Sequence, residues 1–509
     1  MKKLIQTIAA ILESRKFFWV IVGLLIFQAV WLALSAQYPM AFDENYHFGI
    51  IQTYAHQWGP WFSSTPENTG SLGALIREPS YLYHYLMSFP YRLITLITSD
   101  QVHQIILLRF INITLFSAGL VAFWRLLRQI HIPVKLINFS FLMLVLIPVV
   151  PFLAAHINYD NLLFVLIPIT LSLALACGQA LHAKKPVPIV QFLLLTILVC
   201  VASLAKYVYL PIAFAIFLYL TVLWVKRPHK KQVVSQLWTS FRDLRLSIKI
   251  GLILALIVSV GLFIERDGGN LIMYRDVAPS CAEVESKAHC SQYGPWARNN
   301  RMAEDMRTNP QPVDASPVRF FIAWILGLLH RLYFAINYTY ANKPPLVIPF
   351  VLALVTTVAG LILMVWRGVT VLRRYPGLML PLGAALLYGL TLMYKNYTDY
   401  LTLGNLVAIN GRYFIPLLPL IFVFIGLAAS YTIDRITKRY GTQTKTILAS
   451  LAFILMLQGG GLLTFFVHSE PGWYWQEHTV IEVNQAAHDI VSPFIFQYDY
   501  SALTRLLVQ

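Results

Sequence analysis

Charge is scarce in this chain: Asp, Glu, Lys and Arg make up only 12% of its 509 residues, and the acids are the rarer kind, 23 against 39 basic residues. Soluble domains carry roughly twice that share of charge. A mean hydropathy of +0.63 with 58% hydrophobic residues therefore excludes an ordinary water-soluble fold. The sequence also lacks the roughly ten-residue alternating segments of a membrane β-barrel, internal repeats and low-complexity tracts. The first absence excludes a barrel, and the second counts against a transporter built from repeats. Cysteine is sparse as well. Of four, Cys177 and Cys200 lie in apolar runs, while Cys281 and Cys290 share a polar loop. The latter pair, with His289 beside it, does not have zinc-site spacing, and is read either as a disulfide closing that loop or as two free thiols.

What the chain does have is apolar runs of about 20 residues, enough to cross a hydrocarbon core, recurring from residue 17 to residue 467. The expected fold is an all-α polytopic membrane protein. One bundle covers 1–467, with outer loops 37–104 and 265–344 and an outer tail over 468–509. Eleven spans are expected, at about 17–36, 105–124, 136–154, 162–181, 189–205, 208–225, 249–264, 345–366, 377–394, 413–432 and 446–467. Stretches 80–97 and 319–340, rich in Tyr, Trp, Arg and His, suit helices lying in the outer headgroup layer. Counting them as spans gives the alternative, a 13-helix bundle. Ala33-Leu34-Ser35 resembles a signal-peptide cleavage site, but the run before it is too long, and retention as a first span is expected.

The net charge of +16 first raises nucleic acid as a partner, but its distribution argues for topology. With the N-terminus inside, segments 1–16, 125–135, 182–188, 226–249, 367–376 and 433–445 hold 23 of the 39 Lys and Arg and only three acids, Glu13, Asp243 and Asp434. The expected setting is the cytoplasmic membrane, multi-pass, with the C-terminus outside and no nucleic-acid partner.

That topology collects polar intrusions on one face. AFDENYHF, following the first span, carries Asp43, Glu44 and His47. HINYDN places His156, Asn158 and Asp160 in the short turn between the third and fourth spans. SLAKYVY puts Lys206 between two apolar runs, NGRYFIP puts Arg412 and Tyr413 at the start of the tenth span, and IREP supplies Arg77. Each has an ordinary alternative as cap, snorkelling side chain or headgroup anchor. Together, ionisable groups at membrane depth point to function.

Transfer of a sugar from a lipid phosphate to a hydroxyl needs such a set. A carboxylate draws off the acceptor proton, with Asp43 the candidate and Glu44 and Asp160 beside it. Cations stabilise the departing phosphate, a role for Arg77, Lys206 and Arg412. His47, His156, Asn158 and Tyr413 are candidate sugar and acceptor contacts, and an apolar groove would hold the lipid tail.

The order of these features resembles the GT-C superfamily of membrane glycosyltransferases, which includes protein O-mannosyltransferases and the lipid A aminoarabinose transferase. AFDENYHFGII, HINYDNLLF, SLAKYVYL and NGRYFIPLLP are similar to a family of predicted bacterial membrane proteins placed in it. The resemblance implies a GT-C-like bundle with outer-face juxtamembrane helices, and an inverting transferase. The donor would be a polyprenyl-phosphate monosaccharide, and the acceptor a glycan, lipid or protein hydroxyl of the cell envelope. It maps the first-loop acid to Asp43, the second-loop acid to Asp160 and the cation before proline to Arg77, although Arg-Glu-Pro here replaces Lys-Pro. Some relatives use a divalent metal, which Asp43, Glu44 and Asp160 would hold if one is present. Other classes to be weighed are a transporter or flippase of lipid-linked sugars, and a polysaccharide polymerase or ligase.

Overall fold

The computed structural model describes residues 7, 10–40, 43–228, 230–310, 312–333, 347–440 and 460–494. Among them the secondary structure is helical, with a single isolated β-bridge between Ala36 and Tyr474. Six helices are long and apolar enough to cross a membrane: Arg15–Ser35, Gln101–Gln129, Tyr159–His182, Tyr207–Lys226, Leu246–Tyr274 and Pro376–Leu403. Val134–Val145, Ile189–Ala205, Pro317–Leu329 and Leu418–Asp434 are apolar but shorter. An all-α membrane protein is thus what the described residues form. Of the expected last span, 446–459 lies outside the described residues, as do 495–509 of the tail.

The expected span over 136–154 is broken. Its helix stops at Val145 and resumes as Val149–Ala154, because Pro148 biases Ile147 away from helical geometry and lacks an amide hydrogen of its own. A break inside an apolar core leaves carbonyls that must find donors. Gln28 Nε2 donates to Val145 O at 3.1 Å, and Gly461 N to Leu146 O at 2.7 Å. Gln28 Oε1 in turn accepts from Leu462 N at 2.9 Å. Gly461 sits at φ +55°, and a Cβ there would collide with Gln28, so the bridge requires glycine.

The core of the bundle is where Arg15–Ser35, Gln101–Gln129 and Tyr159–His182 meet. Phe116 and Phe164 stack at 4.1 Å between ring centroids, possible because Gly119 presents no side chain against Phe164. Between spanning helices such a stack contributes through close packing rather than through removal from water.

At one end of this core lie the elements that frame the site. Helix Glu44–Ala55 packs on Leu82–Ile97 through Phe48, Ile51, Tyr83, Met87 and Tyr91. Leu86, Leu93, Leu96 and Ile97 of the second helix stay exposed, an apolar outer face that suits the lipid–water boundary. Arg92 ties the pair, donating to Ala55 O and Tyr54 O, each at 3.0 Å, and stacking over Trp58 at 4.1 Å. The tail reaches the same end: Gln37 N donates to Trp473 O and Trp475 N to Ser35 O, and Trp31 Nε1 meets Asn484 Oδ1 at 3.0 Å.

Cys281 and Cys290 form a disulfide, while Cys177 and Cys200 are free and buried.

Candidate functional site

Asp43 stands at the N-cap of the Glu44–Ala55 helix in left-handed backbone geometry, φ 67°. That conformation is disfavoured for a residue with a Cβ, and Asp is one of the few types that accept it. It leaves the Asp43 side chain half-exposed, with Oδ2 accepting from Arg412 Nη2 at 3.0 Å. Arg412 arrives on the turn Gly411–Phe414, where Asn410 Oδ1 accepts from its backbone N at 3.1 Å.

Lys206 occupies an extended break (φ −158°) between Ile189–Ala205 and the turn Tyr207–Tyr209. Its buried Nζ donates to Asp160 Oδ1 at 2.5 Å, and it lies 4.3 Å from the Tyr159 ring and 5.1 Å from that of Tyr413. Asp160 belongs to the first turn of the Tyr159–His182 helix, whose cap Asn158 accepts from Asp160 N at 2.9 Å. Its second oxygen, Oδ2, is buried without a hydrogen-bond partner. The Tyr159 ring lies among Asp160, Arg412, Tyr413 and Asp43 as well as Lys206, so four separate segments of chain converge here.

The histidines form a row. Asn158 Nδ2 lies 3.1 Å from His47 Nε2, and His47 Nδ1 lies 2.8 Å from His84 Nε2. An amide nitrogen only donates, so His47 Nε2 accepts, and its Nδ1 carries the proton given to His84. Burial pushes His84 down to about 3. Burial, with His84, His156, Arg412 and Lys206 nearby, holds His47 well below its ordinary value, so both rings are neutral at neutral pH.

Two expected site residues sit elsewhere in the arrangement. Glu44 is fully buried and bound bidentately by Arg109, Nε to Oε1 at 2.9 Å and Nη2 to Oε2 at 2.8 Å, and it also accepts from Met40 N at 2.8 Å. Burial works to raise this carboxyl, but Arg109, His156 and the Met40 amide together outweigh it, and the group lies below the ordinary carboxylate value. Trp475 of the tail covers the pair, its ring 5.5 Å from the Arg109 guanidinium. Glu44, expected beside Asp43 as a catalytic acid, thus has both oxygens engaged by Arg109 and anchors the helix that presents Asp43. Arg77 pairs with Glu265 at 3.1 Å rather than with Glu78. It belongs to a second charged group in which Arg266 Nη1 donates to Glu78 O at 3.0 Å and Tyr46 reaches Glu78 Oε2 at 3.4 Å.

A divalent metal does not fit these donors. Each expected ligand faces its own cation: Asp43 with Arg412, Glu44 with Arg109, Asp160 with Lys206. Among the described residues no three His, Cys, Asp or Glu side chains gather as ligands.

An apolar pocket of about 280 Å3 opens beside the Arg412 turn. Gly411 and Phe414 line it together with Met143, Leu332, Leu361 and Phe422.

Sequence reasoning missed Arg109, His84, Glu265 and Arg266. Arg109 carried a signal: a lone arginine just inside an apolar span demands a buried acid, and the unassigned candidates were few. His84 carried none beyond its place on the inward face of an amphipathic helix. Comparison with known proteins finds no family model and no curated protein that matches this chain.

Proposed function

We propose that this membrane protein is an inverting glycosyltransferase of GT-C type, moving a monosaccharide from a polyprenyl-phosphate donor to an acceptor hydroxyl at the outer face of the cytoplasmic membrane. The observation that carries the reading is the Asp43–Arg412 contact, made by a turn whose Gly411 and Phe414 line the apolar pocket. A candidate base and a candidate phosphate ligand stand together, and the turn that carries the ligand also borders a space of the kind a hydrocarbon tail occupies.

The chemistry follows from the pairing. A phosphate entering beside Arg412 competes for its guanidinium, since phosphate and carboxylate offer the same bidentate geometry. Arg412 then turns to the phosphate and Asp43 Oδ2 is released. The acceptor oxygen attacks the anomeric carbon from the side opposite the phosphate and its proton passes to Asp43. The carbon–oxygen bond to phosphate breaks, and the electron pair leaves with the polyprenyl phosphate, where Arg412 and Lys206 offset its charge. One displacement inverts the sugar carbon. Asp160 positions Lys206, and its free Oδ2 is a further acceptor for a donor hydroxyl.

The deciding test uses purified protein in detergent with a labelled polyprenyl-phosphate sugar and a cell-envelope extract that supplies acceptor hydroxyls. A transferase consumes the donor and releases polyprenyl phosphate without a second compartment. A flippase leaves the donor intact, and that result would replace the proposal.

A further inference from the structure

The helix that presents Asp43 has another face that the transfer step leaves unused. On Glu44–Ala55, the positions of Glu44, His47, Phe48 and Ile51 turn inward and are buried. Asn45, Gly49, Gln52 and Thr53 fall on the opposite stripe, continued by His56. That stripe forms one wall of a cleft of about 730 Å3.

The facing wall is segment 62–72, FSSTPENTGSL, and it is held in place. Thr69 Oγ1 donates to Pro66 O at 2.7 Å, and Thr65 Oγ1 to Glu285 Oε1 at 2.5 Å. The loop closed by Cys281–Cys290 backs it: His289 Nε2 lies 3.1 Å from Gly73 O, and Gln292 fills the space left by the missing side chain of Gly70. The cleft is therefore braced on both sides.

Much of its lining is polar and uncharged. The side chains of Asn45, Ser63, Ser64, Asn68 and Ser71 make no hydrogen bond to other described residues, and all five residues line the space. Tyr38, Tyr46 and Phe62 add aromatic surface. No Lys or Arg lines it, and Glu67 is its one carboxylate. Phosphorylated, sulfated or carboxylated ligands would find no counter-charge there, and a hydrocarbon would strand the amides and hydroxyls. A neutral ligand dense in hydroxyls, with apolar ring faces to set against aromatics, meets both demands.

We propose that this cleft holds the acceptor and that the acceptor is an uncharged saccharide. The assignment rests on the transferase reading, because the cleft begins at Asn45 and Tyr46, the second and third residues after the base Asp43 in the same turn of chain.

The test is saturation-transfer NMR on the full chain in detergent, with maltotriose, cellotriose, chitotriose and mannotriose as neutral probes, trigalacturonate as the anionic probe and a Ser/Gly-rich peptide as the third class. At least one neutral trisaccharide binds, and the other two classes do not. Ser64→Trp and Ser71→Trp, which fill the cleft, weaken that binding by about tenfold or more, while affinity for polyprenyl phosphate and the melting temperature hold. Asn45→Ala with Asn68→Ala serves as a smaller truncation if either tryptophan variant fails to fold. The proposal is overturned if no neutral trisaccharide binds, if trigalacturonate or peptide binds as well, or if the sugar survives every cleft variant. Donor consumption by wild type separates the two readings. Consumption without saccharide binding removes the acceptor cleft alone; saccharide binding without consumption removes the transferase.

Discussion

Arg412 donates from Nη2 to Asp43 Oδ2 at 3.0 Å, joining two turns that lie 369 residues apart in the chain. A buried guanidinium meets a half-exposed carboxylate on strained backbone, and on the transferase reading proposed above this contact is exchanged for the donor phosphate.

Arg412→Ala should therefore weaken polyprenyl-phosphate binding and lower kcat/KM about a hundredfold, in the range for losing one stabilising donor. Arg412→Lys should restore little, because a point charge cannot hold phosphate in two parallel bonds. Steady-state kinetics with labelled donor measure both. A lysine variant with full activity would show that charge alone suffices.

Glu44 and Arg109 are predicted to matter for folding. Glu44→Gln leaves the guanidinium buried and unmatched, costing about 3–5 kcal/mol. The melting temperature in detergent should fall clearly, as it should for Arg109→Met. In the double variant, Glu44→Gln with Arg109→Met, the cost should be well below the sum of the singles. An unchanged melting temperature in both singles would contradict the anchoring role.

Acid should destabilise the protein in a defined window. His84 titrates near about 3 when folded against an ordinary value of 6.5, and His47 is held low beside it. Between those limits the unfolded chain binds more protons, so stability is full above about 6.5 and falls as pH drops toward 3. Glu44, also lowered, adds loss of the same sign below its ordinary value, while Glu78, raised by burial, works the other way. Melting curves at pH 7.5 and 5 should differ, and His84→Gln, which does not titrate, should shrink the difference.

Leu361→Trp, which fills the apolar pocket, should raise KM for a long-chain donor several-fold and leave a short-chain donor nearly unaffected. Equal effects on both would place the lipid tail elsewhere.

Much of this arrangement is legible in the chain itself. Asp43, Asp160, Lys206 and Arg412 each interrupt an apolar run, and charge at such places is costly enough to stand out. All four meet around Tyr159 and Tyr413. Which charge pairs with which is a different matter, since pairing is decided by folding across hundreds of residues. Glu44 looked like a twin of Asp43, yet one step along the helix turns it from the site to Arg109. Arg77 stands beside Glu78 in the chain and pairs instead with Glu265, brought up by the end of a distant helix. The break at Pro148 was visible as a proline, but its repair by Gln28 and Gly461 depends on segments more than a hundred residues away on either side.

The most direct measurement is the rate of sugar transfer by Asp43→Asn, an isosteric change that keeps a partner for Arg412 and removes the proton acceptor. The variant should fold, bind polyprenyl phosphate as tightly as wild type, and transfer sugar at least about a hundredfold more slowly. Transfer at the wild-type rate would show that the proton goes elsewhere and that Asp43 is not the base.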